Sequence, residues 1–372
     1  MTLAERLLAR LTRPGPALEY IGARCQRRRF IRSGCDLCAR ECPVQALYPG
    51  EGEVRIDEER CTGCLACTAA CPTEALVGRD ARLAKLPARI LAGTGEITIC
   101  CEKAIRSGRE LILPCLGGLS REHLAVLALT AGGVTLLLNS CRDCHSAWVP
   151  ELLQRRLDEL RESWADREAI PPIRLHFAAE PPPALAPGAA PAPPQPGADS
   201  SPGPAAAPAD PPDRRDFFRA FREISFHAAV ETWGTLREEP GPKEEQWAST
   251  KHVPSRVSLL RQVLERLPAA RRSLLAPLLP ELTVGSACTF CEACVGLCPS
   301  GALESEVDEE SSRLFFHWSR CSACGLCREF CPSKAISISS GCRSAEPGEE
   351  RREVFRLAPD EAASDPGSHR RH

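Results

Sequence analysis

The chain has 372 residues, enough for two or three domains of ordinary size. Its 47 Lys and Arg stand against 49 Asp and Glu, a net charge of −2, which excludes the basic excess of a nucleic-acid-binding protein. The outlier is cysteine, with 22 residues, beside 34 prolines, 1 Met and 2 Tyr. A disulfide framework belongs to short secreted chains, and MTLAERLLARL has neither the apolar core nor the cleavage site of a secretory signal. The longest charge-free apolar run, 124–138, is too short for a membrane span and is split by Gly132-Gly133. The expectation is a cytoplasmic protein with no membrane span, whose thiols are free to bind metal.

In chain order, residues 1–24 are read as an N-terminal amphipathic helix, with Leu3, Leu7, Leu8 and Leu11 on one face. Residues 25–80 hold two cysteine-rich repeats, CQRRRFIRSGCDLCARECPVQAL and CTGCLACTAACPTEAL, joined by a polar turn and a short alternating strand. Residues 90–177 change texture. Short apolar runs at 97–101, 110–114, 134–138 and 173–177 alternate with helical stretches at 120–130 and 152–160, which predicts a small α/β domain on a parallel sheet. Residues 178–212 are a Pro/Ala-rich linker that cannot bury a core. A helical segment follows at 213–280, then two more repeats at 281–342, CTFCEACVGLCPSGAL and CSACGLCREFCPSKAI. The charged, Gly/Pro/Ser-containing end, 343–372, is expected to be disordered. The fold class is therefore α+β multidomain.

Three repeats follow C-x-x-C-x-x-C-x-x-x-C-P without deviation; in the first, nine residues separate Cys25 from Cys35. A four-iron, four-sulfide cubane needs four thiolates at tetrahedral corners. Cysteines three positions apart in a tight loop can wrap one side of it, and the Cys before Pro reaches the other cluster of a pair. Zinc ribbons need neither the third step nor the Cys-Pro. On these residues the two modules resemble bacterial dicluster 4Fe-4S ferredoxins. The resemblance implies four 4Fe-4S clusters: one on Cys25, Cys35, Cys38 and Cys71; a second on Cys61, Cys64, Cys67 and Cys42; a third on Cys288, Cys291, Cys294 and Cys331; a fourth on Cys321, Cys324, Cys327 and Cys298. Cys25 departs from the pattern, and without it the first site would hold a three-iron centre or keep a labile position. The insertion carries Arg24, Arg27, Arg28, Arg29 and Arg32, read as a solvated basic loop or a docking surface for an acidic partner.

Six cysteines remain, five of them in the α/β domain. Cys100 and Cys101 end the first strand, Cys115 follows the second, and Cys141 and Cys144 follow the third, so they should converge at the carboxyl edge of a parallel sheet. The segments Cys100-Cys101, Pro114-Cys115-Leu116-Gly117 and Cys141 through Asp143-Cys144-His145 resemble the delta (iron–sulfur) subunit of methyl-viologen-reducing hydrogenases. That resemblance implies a 2Fe-2S cluster, here on Cys101, Cys115, Cys141 and Cys144. Glu102-Lys103 stand where the family has a further cysteine, and the last motif is shorter. Zinc, a reactive dithiol and inert buried cysteines are the alternatives, with His145 as a further conceivable ligand. Cys342 is read as structural. No nucleotide loop or hydrolase motif is present, so the expected function is single-electron relay as a subunit or donor of a larger redox enzyme. The partner would be a hydrogenase, formate dehydrogenase or heterodisulfide-reductase-like assembly, or another electron carrier. The alternative is a redox enzyme with its thiol or cluster active site in the α/β domain.

Overall fold

The computed structural model describes residues 17–93, 95–164, 173–178, 250–341 and 350–358. The helix read at 1–11, nearly all of the 178–212 linker, the helical stretch 213–249 and Cys342 lie outside these residues. The first module runs β1 (Leu18–Tyr20), α1 (Gln26–Arg29), α2 (Leu37–Arg40), β2 (Leu47–Pro49), β3 (Val54–Ile56), α3 (Ala66–Ala70) and β4 (Leu76–Gly78). β1 pairs antiparallel with β4, and β2 with β3. Residues 18–24, assigned from sequence to an N-terminal helix, are instead a strand and a one-turn 3-10 helix, so the module begins before Cys25. A three-residue strand carries too little periodicity to be read alone. It forms because Leu18 joins a small core with Leu47, Val54 and Leu76.

After α4 (Ala81–Ala84) and α5 (Leu86–Ala92) comes the parallel-sheet region: β5 (Glu96–Cys101), β6 (Leu111–Leu113), α6 (Arg121–Thr130), β7 (Gly133–Leu137), α7 (Val149–Ser163) and β8 (Ile173–His176). The strand order is β6-β5-β7-β8, all parallel. Ser120 starts α6 through a capping box: its hydroxyl accepts the His123 N–H while the His123 ring accepts the Ser120 N–H. Pro150 sits in the first turn of α7, where no backbone donor is lost.

The second module follows α8 (Ser255–Arg266) and α9 (Ala269–Arg272). It runs β9 (Pro280–Val284), α10 (Ala293–Leu297), β10 (Leu303–Val307), β11 (Ser312–His317), α11 (Leu326–Phe330), β12 (Ile336–Ser340) and β13 (Arg351–Leu357). β9 pairs with β12, and β10-β11-β13 form a sheet. Two expectations are corrected. Pro280 opens a strand rather than ending the helical segment. Within the 343–372 tail read as disordered, residues 351–357 form a strand on β11. The tail's composition contains no core, but its strand draws on partners far away in sequence. Arg351 pairs with Glu306 and lies 3.4 Å from the Phe315 ring centroid.

A continuous core includes Leu86 and Leu127, Leu260 and Val263 of α8, and Leu282 and Phe316 of the second module, so α8 is a shared wall. The first module is tied to α8 through Glu74. Its carboxylate accepts the Ser255 N–H at 2.8 Å, the Ser255 hydroxyl at 2.6 Å, and stands 3.1 Å from His252 Nε2. Burial raises this carboxyl, but the bonds from His252 and Ser255 outweigh it and hold the pKa down to about 2. A folded-state value below the ordinary 4.5 means that the contribution is present above pH 4.5 and is lost as pH falls toward 2. Glu74→Gln is expected to cost about 1–3 kcal/mol at pH 7. Its deficit against the wild-type chain should shrink below pH 4.5, as read by urea unfolding at stepped pH.

Candidate metal centres

The three regular repeats bend the chain twice into the left-handed region. The residue before the second cysteine does so (Gly63 φ 69°, Phe290 52°, Ala323 53°), as does the residue after it (Leu65 62°, Glu292 54°, Gly325 80°). Four of these six residues are not glycine, a cost of order 1–3 kcal/mol each that surrounding structure must sustain. The bends keep the first two cysteines within electrostatic reach of the third, which lies in the first turn of the following short helix. Asp36, after Cys35 in the first repeat, has φ −135°, so that repeat uses a different path.

The Cys-Pro-x-x-Ala ending also has a physical content. Gln45, Glu74, Gly301 and Lys334 all take φ between 51° and 65°. This aims the alanine N–H back at the cysteine sulfur: Ala46 to Cys42, Ala75 to Cys71 and Ala302 to Cys298, each 3.3 Å. In the fourth repeat, burial raises the Cys331 thiol, but bonds from Ser333, Ala335 and Ile336 outweigh it and lower it. N–H···S bonds of this kind stabilise a thiolate and raise the potential of a cluster it holds.

The cysteines of the four repeats act electrostatically on one another, within a repeat and across repeats. Burial first, then Cys71, Cys35 and Cys25, pushes Cys38 up to about 12. Cys67 is raised by burial and then by Cys64, Cys38, Cys61 and Cys42. Burial, Cys288 and Cys291 bring Cys294 to about 12, and Cys331 acts on Cys288. Burial, Cys298 and Cys35 raise Cys324 to about 12; Cys321 is raised by burial and by Cys324, Cys298 and Cys327, and Cys327 by burial and by Cys324, Cys298 and Cys294. Cys25, buried at 7% exposure, acts on Cys35 and Cys38 despite its distant position in sequence.

Thiols that oppose one another's ionisation in this way are suited to a polycation, which takes up the charge as the protons leave. Among the described residues no three His, Cys, Asp or Glu converge closely enough to hold a single metal ion. The donor chemistry and the N–H···S bonds fit iron–sulfur clusters.

A fifth grouping lies at the carboxyl edge of the parallel sheet. A cavity of about 60 Å³ is lined by Cys101, Cys115, Cys141 and Cys144 together with Lys103 and the Thr62-Gly63 turn of the first module. Burial brings Cys115 to about 12, with Cys64, Cys101 and Cys141 adding to it, and burial with Cys101 and Cys144 brings Cys141 to about 11. Lys103 Nζ stands 3.7 Å from the Cys144 sulfur. Cys100 faces the opposite side of the sheet, packed with Ala104 and Leu137, as strand alternation requires. His145 is exposed and does not line the cavity.

Sequence reasoning missed what connects these groups. The insertion of the first repeat is not simply a solvated basic loop. Arg28 and Arg32 are exposed, but Arg29 is buried at 5% exposure, and Arg27 donates to the carbonyls of Cys35 (2.6 Å) and Gly50 (2.9 Å). Lys251 spans the Cys298 loop, donating to the carbonyls of Val295, Gly296 and Cys298 at 3.2, 2.7 and 3.0 Å. No spacing rule in the sequence signals either cation.

Residues 32–75 match a family model described as a 4Fe-4S dicluster domain, and residues 282–332 match a second model of that description. No curated protein matches the chain. The first match begins after Cys25, and neither extends into 95–160. No helix among the described residues is long and apolar enough to cross a membrane. The chain thus carries two iron–sulfur domains of the kind that holds two 4Fe-4S clusters each, joined by a parallel-sheet region with a cysteine-lined cavity of its own.

Proposed function

We propose that the chain is a single-electron carrier with its redox centres held by the four cysteine groups, working as a subunit or donor of a larger redox enzyme. A 4Fe-4S cluster supplies one-electron uptake and release at a potential set by its surroundings. The ligands are Cys25, Cys35, Cys38 and Cys71; Cys42, Cys61, Cys64 and Cys67; Cys288, Cys291, Cys294 and Cys331; and Cys298, Cys321, Cys324 and Cys327. The observation that carries this reading is that residues 32–75 and 282–332 each match a 4Fe-4S dicluster domain, and the electrostatic action of repeat cysteines on one another across repeats supports it. Cys101, Cys115, Cys141 and Cys144 are assigned to a 2Fe-2S centre. The convergence of four cysteines on one small cavity favours ligation over catalysis. Hydrogenase, formate dehydrogenase and heterodisulfide-reductase-like assemblies are the partner classes to test.

The anaerobically purified chain is expected to hold about 16 iron atoms from four cubanes, or about 18 with the 2Fe-2S centre. Cys115→Ala should remove only the latter two. Fewer than about 12 irons in the wild-type chain contradicts the four-cluster assignment.

A further inference from the structure

The nine residues between Cys25 and Cys35 have no counterpart in the other repeats. They reach into the second module. The Phe30 ring meets Phe330 edge-on, with centroids 5.0 Å apart at 84°. The Ser33 hydroxyl and Gly34 N–H donate to the two carboxylate oxygens of Glu329, at 2.8 and 2.5 Å. Glu329 and Phe330 lie between Cys327 and Cys331, so the loop that ends in Cys35 sits directly on the helix that carries Cys327. Arg29 donates through Nε to the Ala23 carbonyl at 2.9 Å and through its terminal nitrogen to the Thr250 carbonyl, beside Lys251.

We propose that Arg29, carried by the first module, is a charge-tuning residue for the centre held by Cys298, Cys321, Cys324 and Cys327 of the second. The same insertion sets that centre against the one held by Cys25, Cys35, Cys38 and Cys71. The proposal rests on the cluster assignment above. The Arg29 guanidinium, 5% exposed, bonds the Thr250 carbonyl, and the next residue, Lys251, donates to the Cys298 carbonyl at 3.0 Å, which sets the buried cation beside the loop that carries Cys298. Reduction adds one negative charge to a centre. A cation removed from water favours that reduced form more than a solvated one does. The departure that leaves the Cys25 spacing irregular is then the element that joins the modules electrostatically.

The test is a potentiometric EPR titration of the anaerobic full chain carrying Arg29→Met. The signal that disappears in Cys324→Ser should move to lower potential, with its reduction equilibrium changed on the order of tenfold (about 59 mV for one electron). The other signals should hold, and Arg29→Lys should restore most of the shift. Potentials that are unchanged, or that all move together, overturn the tuning role. Wild-type iron content in the variants separates this failure from failure of the cluster assignment. Should Arg29→Met lose iron, a second readout decides. The spin relaxation of the reduced signal abolished by Cys38→Ser is expected to slow when the neighbouring centre is removed by Cys324→Ser. Unchanged relaxation overturns the juxtaposition.

Discussion

Replacing Arg156 by methionine is expected to destabilise the folded chain by about 3–5 kcal/mol, more than any other single exchange considered. α7 delivers this guanidinium, 5% exposed, to the seam between the parallel sheet and the first module. One terminal nitrogen donates to the carbonyls of Gly117 and Leu119 at 2.8 and 2.7 Å. The other donates to Glu41 at 2.7 Å and to the Ala66 carbonyl at 3.4 Å. Burial lowers the Arg156 pKa and Glu41 raises it back, the behaviour of a cation held in place by its partner. Methionine fills the space but leaves the carbonyls and a carboxylate with 20% of its side chain exposed short of a donor. Arg155 also reaches Glu41, at 2.8 Å, but from the exposed side, so it rescues little. Lysine keeps the charge without the fork and should recover less than half the loss. Anaerobic denaturant unfolding of Arg156→Met, Glu41→Gln and the double variant checks this. The pair should couple by more than about 1 kcal/mol.

The second large effect is expected at Gly117. A Cβ built there would stand 2.3 Å from the Cys64 carbonyl oxygen and 3.4 Å from Val149 Cγ2. The obstacle is backbone, which cannot rotate aside, so Gly117→Ala must push the sheet's edge away from the first module. A loss of about 3 kcal/mol is expected, at the upper end for overpacking. The four-cysteine cavity should open with it, because Thr62 and Gly63 form one of its walls. Thermal unfolding checks the loss, and alkylation of Cys115 in the apoprotein, faster in the variant, checks the opening. Gly296→Ala in α10 is the control: nothing lies within 4 Å of its added methyl, and it should be neutral or stabilising by about 0.4–1 kcal/mol.

Much of this architecture is legible in the sequence because its signals are local. The strands ending at Cys101 and Leu113 are written in β-branched and aliphatic runs, and α6 in a capping serine followed by an apolar stretch. The convergence of Cys101, Cys115, Cys141 and Cys144 follows from the rule that parallel sheets gather sites at one edge. What is not legible depends on a partner distant in sequence. β1 is three residues whose reason to be a strand is β4, some 58 residues away (about the length of the module). β13 reads as a solvated charged segment until Glu306 and Phe315 stand opposite it. Arg29 looks like its exposed neighbours Arg28 and Arg32, yet it is buried and bonds the Thr250 carbonyl, 221 residues away. Gly117 looks like a turn glycine, whereas the constraint on it is the carbonyl of Cys64.

β13 also bears on how the chain avoids its own copies. In the first module, β2 and β3 are three residues each, too short to offer a neighbour a useful row of backbone groups. The corresponding hairpin of the second module is longer, and its six-residue β11 carries Leu314, Phe315 and Phe316. A flat, apolar strand of that length would invite edge-to-edge self-association if its side were open. β13 takes that side, from Ser312 opposite Leu357 to His317 opposite Arg351, with a register shift between Leu314 and Phe315 that breaks the regular ladder. The two edges of the sheet are then β10, where Glu304 and Glu306 put charge on the strand, and β13 itself, which carries Arg351, Arg352, Glu353 and Arg356. The arginine-rich strand thus replaces an apolar edge, Leu314 to Phe316, by a charged one, the kind of edge that discourages pairing with a second copy.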